Sequence, residues 1–134
     1  MQQFYSKIVK KYISQKRLEH SIRVCQKALH LANIYNCNEK LIEKAAIFHD
    51  IAKNQTPDSL NSIIASADLE LECWNMYPAV WHALVAPQLI EFELPGESKA
   101  IENAVKFHTT GSDHMGKEAM IIFIADFIEP KRLH

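Results

Sequence analysis

The sequence LEHSIRVCQKALHLA, at residues 18–32, decides the fold class. Five of its apolar residues are separated by 4, 3, 4 and 3 positions: Leu18, Ile22, Cys25, Leu29 and Ala32. An α-helix completes a turn about every 3.6 residues, so this spacing places the apolar side chains on one face. The stretch therefore predicts an amphipathic helix that buries this face against other elements.

The same helical period continues along the chain between recognisable starts and stops. Asn38 is a predicted N-cap, and the helix after it repeats the 4, 3, 4 spacing: Leu41, Ala45, Phe48 and Ala52. Thr56-Pro57-Asp58 combines a threonine cap with a proline at the first helical position. Pro78 opens another helix, whose regular part Pro87 is predicted to kink or end. Pro95-Gly96 marks the next break.

Residues 120–128, MIIFIADFI, predict a last and very apolar helix, which Pro130 stops. No stretch shows the sustained alternation of apolar and polar residues that is typical of strands. The sequence therefore predicts an all-α fold, with residues 1–134 forming a single domain of about six or seven helices. A homodimer is a further expectation, because the last helix is apolar on most of its faces.

The composition excludes several classes of protein. The chain has 134 residues, of which 48% are hydrophobic, so it is expected to fold around a core. Its 15 basic and 16 acidic residues give a net charge of -1, which argues against nucleic-acid binding and against a polybasic membrane anchor. With three scattered cysteines and no apolar run long enough to span a bilayer, we expect a cytoplasmic protein.

Histidines and aspartates occupy unusual places in this helical pattern. The doublet His49-Asp50 lies near the end of an apolar helix, and Asp126 lies inside the last helix. A buried carboxylate is costly unless it meets a cation or hydrogen-bond donors. His20 in the first turn of its helix, His82 after Pro78 and His108 near the end of another helix extend the set. Imidazoles and carboxylates are ligands for Fe, Mn, Co, Ni or Zn, so the set predicts a metal site.

Each of these residues taken alone has a simpler interpretation. A single histidine in an amphipathic helix usually lies at the surface, and this is our expectation for His30, His114 and His134. Asp126 alone is compatible with pairing to a lysine or with capping of a neighbouring helix. Only the set taken together favours a metal centre.

The order of these residues resembles the H…HD…D signature of the HD-domain metal-dependent phosphohydrolases. The local strings are similar to those of one branch, the YqeK-like symmetrical bis(5'-nucleosyl)-tetraphosphatase family, over about residues 17–132. The strings that carry this resemblance are RLEHS at 17–21, FHDIAK at 48–53, KFHTTG at 106–111 and IADFIEP at 124–130.

The resemblance implies an all-α HD bundle that cleaves diadenosine tetraphosphate symmetrically to two ADP. It implies two metal ions, most often iron, with a metal-activated hydroxide as the nucleophile. One ion would be bound by His20, His49, Asp50 and Asp126. Asp50 would bridge to a second ion, which His82 and His108 would complete.

Substrate contacts are predicted at positions close to these ligands. Lys53 follows His49 by four residues, so on a continuous helix it would face the same side and neutralise phosphate charge. Thr109, Thr110 and Gly111 follow a ligand helix and can hydrogen-bond a phosphate, and Arg132 is a candidate phosphate or base contact. The alternatives are a solvated lysine at Lys53 and a helix stop at Gly111. Trp74, Tyr77 and Trp81 suit either base stacking or the core.

Two other functions remain open at this point. The first is an HD phosphohydrolase that acts on another nucleotide or phosphoester through the same ligands. The second is a non-catalytic HD domain that binds metal and nucleotide. It is motivated by the stop at His134, since family members usually continue for a few dozen residues beyond the Ile-Glu-Pro motif. A purely structural bundle would leave Asp126 unexplained.

Overall fold

The computed structural model describes residues 2–66, 78–96, 99–106 and 116–129. Within these ranges the chain forms α-helices and no β-strand, so the predicted all-α fold is confirmed. The helices are α1 (Gln2–Val9), α2 (Gln15–Tyr35), α3 (Glu39–Phe48), α4 (Pro57–Ser66), α5 (Pro78–Glu93), α6 (Lys99–Lys106) and α7 (Lys117–Ile128). Among these helices, none combines the length and the apolar character needed to cross a membrane.

Local side-chain bonds explain where three of the helices begin. Ser14, Asn38 and Thr56 each accept a hydrogen bond from the backbone amide three residues later, at 3.3, 3.2 and 3.1 Å. Such a bond satisfies one of the amides that has no partner within the helix. The predicted caps at Asn38 and Thr56 are therefore confirmed. At the other end of α2, Asn36 takes the left-handed conformation, with φ of 60°, and ends the helix.

Helix α2 packs against both α3 and α7 and carries the first part of the core. Its buried residues are Leu18, Ser21, Val24, Cys25, Ala28 and Ala32. The predicted apolar face is present but rotated, because Ile22 and Leu29 are only half-buried at its margin. Contact with two neighbouring helices requires a wider buried face than the apolar spacing alone suggests.

Helix α5 bears on the prediction that Pro87 kinks or ends its regular part. It continues through Pro87 to Glu93, so the proline does not end it. Proline removes one backbone hydrogen bond and costs about 3 kcal/mol or more within a helix. Val85, Ala86 and Ile90 are all fully buried around it, and this packing offsets the cost. The predicted break at Pro95-Gly96 is confirmed, since α5 ends before it and Gly96 has a φ of 86°.

Helix α7 has an inner and an outer face of different character. Its buried residues are Ala119, Ile121, Ile122, Ala125 and Asp126. Its outer face exposes large apolar side chains: Met120, Ile124, Phe127 and Ile128. These exposed side chains are the ones on which the sequence-based expectation of a homodimer depends. The buried carboxylate of Asp126 is the polar exception on the inner face, so this side of α7 presents a charged group to the interior of the protein.

Two hydrogen bonds join the turn between α1 and α2 to the end of α5. Lys11 donates a hydrogen bond to Glu93 at 2.7 Å, and Tyr12 donates another to the second carboxylate oxygen. The hydrogen bonds from Lys11 and Tyr12 lower the pKa of Glu93, although its burial opposes this. Burial and the bond to Glu93 raise the pKa of Tyr12 to about 12, so Tyr12 stays a neutral donor at ordinary pH.

We expect Glu93→Gln to lower the free energy of unfolding by about 1 kcal/mol at pH 7. A carboxylate whose pKa is lower in the folded state stabilises the protein above its unfolded pKa of about 4.3. That stabilisation is lost as the pH falls through the folded pKa. The difference in the free energy of unfolding between the variant and the unmodified chain, measured by denaturant unfolding, should therefore become smaller as the pH falls from 7 to 3. An equal difference at both values would contradict this role of Glu93.

Candidate metal centre

Four of the predicted ligands converge where α2, the end of α3 and α7 meet. They are His20 from α2, His49 and Asp50 from the end of α3, and Asp126 from α7. One ligand atom from each residue lies within 4.8 Å of those from the other three. His49, Asp50 and Asp126 are buried, and the His20 side chain is 13% exposed. The cluster is therefore reachable from solvent mainly on the His20 side.

The end of α3 positions the adjacent ligands. The helix ends at Phe48 and His49 is its C-cap, after which the chain forms tight turns. The amides of Ile51 and Lys53 donate to the carbonyls of Phe48 and Asp50, at 3.1 and 2.9 Å. These bonds span three residues rather than four, so Lys53 is not on a continuous helix with His49. The continuous helix that the prediction for Lys53 assumes is therefore absent, the residue is half-buried in the turns, and its phosphate contact stays a prediction.

His20 and His49 both direct their Nε2 atom to the centre of the cluster. His49 Nδ1 lies 2.6 Å from the carbonyl oxygen of Ala46, and His20 Nδ1 lies 3.1 Å from Glu129 Oε2. On the other side of the rings, His20 Nε2 and His49 Nε2 lie 2.9 and 3.3 Å from Asp126 Oδ1. Helix α2 begins at Gln15, which puts His20 in its second turn rather than the predicted first.

This arrangement fits a bound cation. A neutral imidazole carries one N–H, yet both nitrogens of His20 and of His49 face oxygen acceptors. The unmatched Nε2–oxygen pairs need either a second proton on each ring or a positive ion between them. Two imidazole nitrogens with two buried carboxylates are a donor set that divalent transition metals accept. The residues present therefore suit a metal ion.

The ionisation of the cluster indicates the same demand for positive charge. Burial by itself lowers the pKa of His49, but the charges and hydrogen bonds of Asp50 and Asp126 outweigh it and raise the pKa to about 9. Burial by itself raises the pKa of Asp126, but hydrogen bonds from His20 and His49 hold it well below its usual range. The carboxylate of Asp126 thus stays ionised and stabilises positive charge beside it.

Asp50 lies between the imidazoles of His20 and His49 on one side and the imidazole of His82 on the other. Its Oδ2 atom is 3.7 Å from His20 Nε2 and 3.5 Å from His49 Nε2. Its Oδ1 atom is 3.5 Å from Nε2 of His82, a side chain on α5 that is 3% exposed. The structure therefore brings five of the six predicted ligands together, while His108 lies outside the described residues. Asp50 has the geometry that a bridging carboxylate would need.

Two further residues belong to the site and are not predicted by the sequence analysis. Glu129 is 1% exposed, and its Oε1 accepts a hydrogen bond from Arg23 Nε at 2.7 Å. Its Oε2 faces His20. The available signal is spacing, because residues three apart lie on the same side of a helix. Arg23 follows His20 by three residues on α2, and Glu129, the C-cap of α7, follows Asp126 by three.

The predicted substrate contacts other than Lys53 fall in parts of the chain that the structure does not describe. Thr109, Thr110, Gly111 and Arg132 lie outside the described residues, as do Trp74, Tyr77 and the side chain of Trp81. His114 and His134 lie outside them as well. His30 is exposed on α2, as expected for a surface histidine.

Comparison with known proteins agrees with this geometry. The model of the HD domain family matches residues 17–131. The symmetrical bis(5'-nucleosyl)-tetraphosphatase of Bacillus subtilis is 33% identical over 124 residues, which are 92% of this chain and 67% of the relative. The Staphylococcus aureus protein of the same name is 32% identical over 126 residues, which are 94% of this chain and 65% of the relative.

A solved structure is also similar. The crystal structure of a predicted HD superfamily hydrolase involved in NAD metabolism, from Clostridium acetobutylicum, superposes with a TM-score of 0.89 at 30% identity. The match covers 98% of this chain and 70% of that one. The chain thus spans about two thirds of the length of its relatives. On the family match and these relatives, the chain belongs to the HD domain family and, within it, to the branch of the symmetrical bis(5'-nucleosyl)-tetraphosphatases.

Proposed function

We propose that this HD-family phosphohydrolase cleaves diadenosine tetraphosphate symmetrically, with water, to two ADP. The observation that carries the proposal is the convergence of His20, His49, Asp50 and Asp126 in a buried cluster that demands positive charge. The names of the relatives from Bacillus subtilis and Staphylococcus aureus indicate a bis(5'-nucleosyl) tetraphosphate as the class of substrate, and diadenosine tetraphosphate is the member that we propose. A tetraphosphate bridge is strongly anionic, so a centre that holds cations is suited to bind it.

The residues have distinct tasks in this proposal. His20, His49, Asp50 and Asp126 would hold one metal ion, and Asp50 would share a second with His82 and His108. We propose iron as the native metal, with Mn, Co, Ni and Zn as the alternatives that the same donors accept. When bound, two such ions would lower the pKa of a water molecule and neutralise the phosphoryl oxygens.

The protein itself supplies orientation and burial. The carbonyl of Ala46 fixes the ring of His49, and the apolar residues beside Asp50 and Asp126 exclude bulk water from their carboxylates. Exclusion of water strengthens the attraction between these carboxylates and a cation. The phosphate contacts at Lys53, Thr109, Thr110, Gly111 and Arg132 are part of the proposal and depend on the sequence resemblance.

Product analysis tests the proposal directly. We expect Mn²⁺- or Fe²⁺-loaded protein to convert diadenosine tetraphosphate to ADP as the only nucleotide product on ion-exchange chromatography. The same protein stripped with a chelator should form none, and added metal should restore ADP formation. Formation of ATP with AMP would contradict symmetrical cleavage. No product from metal-loaded protein, with turnover of another phosphoester in a nucleotide panel, would assign the site to that substrate instead.

A further inference from the structure

Glu129 is a buried carboxylate with a different donor on each of its oxygens. Oε1 accepts from Arg23 Nε at 2.7 Å, and Oε2 lies 3.1 Å from His20 Nδ1. Its side chain is fully buried, whereas the Arg23 side chain is 31% exposed. A buried charge is retained at such a place only when it is paired and hydrogen-bonded. The carboxylate therefore links the guanidinium of Arg23 to the back of an imidazole that faces the metal centre.

The two histidines of the centre are oriented in different ways. His49 Nδ1 donates to a main-chain carbonyl, that of Ala46, which no side-chain substitution removes. His20 Nδ1 has only a side-chain acceptor, Glu129, among the bonds that the structure shows for it. A proton on Nδ1 leaves the lone pair of a neutral imidazole on Nε2, which is the atom directed to Asp126. The ligand state of His20 thus depends on the partner of its Nδ1 atom.

We infer that Glu129 is a positioning residue, held by Arg23, that fixes His20 in the Nδ1–H tautomer and so makes its Nε2 atom a metal ligand. This inference rests on the metal-binding role of His20 in the proposed function. Partners behind a metal-binding imidazole typically change metal affinity by about 10–100-fold when they are replaced.

Glu129→Gln reverses the hydrogen-bond pattern while it keeps the shape of the side chain. Arginine can only donate, so Arg23 selects the amide oxygen of the glutamine. The amide NH₂ group then faces His20 Nδ1, which must become the acceptor and carry its proton on Nε2. Since a protonated Nε2 cannot bind metal, we expect Mn²⁺ affinity to fall by about 10–100-fold.

A second substitution, Arg23→Met, should restore part of the Mn²⁺ affinity that Glu129→Gln removes. In the double variant Arg23→Met with Glu129→Gln, the guanidinium no longer selects the amide oxygen, which the glutamine can then offer to His20 Nδ1. We therefore expect the double variant to bind Mn²⁺ about tenfold more tightly than Glu129→Gln alone. A merely structural role of the contact predicts the opposite order, because the double variant loses more packing and more charge pairing.

The experiment is a Mn²⁺ titration of the metal-stripped full chain, read from the electron paramagnetic resonance signal of free Mn²⁺. Glu93→Gln is the matched control, since it removes a carboxylate that pairs with Lys11 and Tyr12 in the turn between α1 and α2, and its affinity should equal that of the unmodified chain. Affinity of Glu129→Gln within twofold of the unmodified chain would overturn the inference. So would a double variant that binds no more tightly than the single one.

A measurement on the unmodified chain keeps the test independent of variant folding. Long-range ¹H–¹⁵N spectra of the Zn²⁺-loaded protein report which ring nitrogen of His20 carries the proton. We expect Nδ1–H, and a protonated Nε2 would overturn the inference while leaving the proposed phosphohydrolase intact. Failure of the unmodified chain to bind either metal would overturn the inference and the proposed metal centre together.

Discussion

Asp50→Asn should lower kcat for diadenosine tetraphosphate by at least about 10³-fold, which corresponds to about 4 kcal/mol of transition-state stabilisation. The reason is the position of the carboxylate, whose two oxygens face His82 on one side and His20 and His49 on the other. Asparagine replaces one oxygen by an NH₂ group, which cannot ligate a cation. The variant should therefore lose the connection between the two halves of the centre. Chromatographic measurement of ADP formation at saturating metal gives the rate.

The matched control is Asp58→Asn, which makes the same chemical change at an exposed position in the first turn of α4. Its kcat should stay within about twofold of the unmodified chain. The helical circular dichroism of both variants should be unchanged, and metal analysis shows whether Asp50→Asn still retains ions. Turnover by Asp50→Asn close to that of the unmodified chain would remove Asp50 from the reaction and contradict the proposed use of the cluster.

Much of the fold follows from signals that act over three or four residues. The caps at Asn38 and Thr56 bind amides in their own first turns, and the left-handed glycine at Gly96 follows a proline in the break after α5. Such features depend on local stereochemistry, so the sequence alone predicts them. The apolar spacing in α2 likewise predicts a buried face, although not its exact orientation.

The features that the sequence does not predict depend on distant parts of the chain. Continuation of α5 through Pro87 depends on packing against α4 and α6, and Val85, Ala86 and Ile90 next to the proline are fully buried. The end of α3 at Phe48 accompanies the turn in which His49 and Asp50 meet α2, α5 and α7. Packing between helices decides both cases, and helical periodicity carries no information about it.

The residues of the candidate site also fall into two groups, those that the sequence predicts and those that only the structure shows. Residues such as Asp126 stand out because a carboxylate in an apolar helix is costly, so their chemistry shows in the sequence. Glu129 and Arg23 do not stand out, since acidic and basic residues in and next to helices are common on protein surfaces. Only the structure shows that the carboxylate of Glu129 is buried and that it joins Arg23 to His20.

Phe48→Ala should lower the free energy of unfolding by about 3–5 kcal/mol, a large part of the total stability of a domain of this size. Phe48 is fully buried, and its ring meets that of Tyr5 edge-on, with 5.7 Å between the ring centroids. Its truncation leaves a cavity between α1 and α3 and loses an aromatic contact. Denaturant unfolding of the metal-free chain measures the effect.

Phe92→Ala makes the same truncation on α5, where the side chain is 75% exposed, and should change stability by no more than about 0.5 kcal/mol. A loss below about 1 kcal/mol for Phe48→Ala would contradict the packing of α1 against α3. The comparison also bears on the metal centre, because Phe48 directly precedes His49 and Asp50 and ends the helix that presents them. Metal affinity should therefore fall in Phe48→Ala and stay unchanged in Phe92→Ala, which would show that the core holds the ligand pair in place.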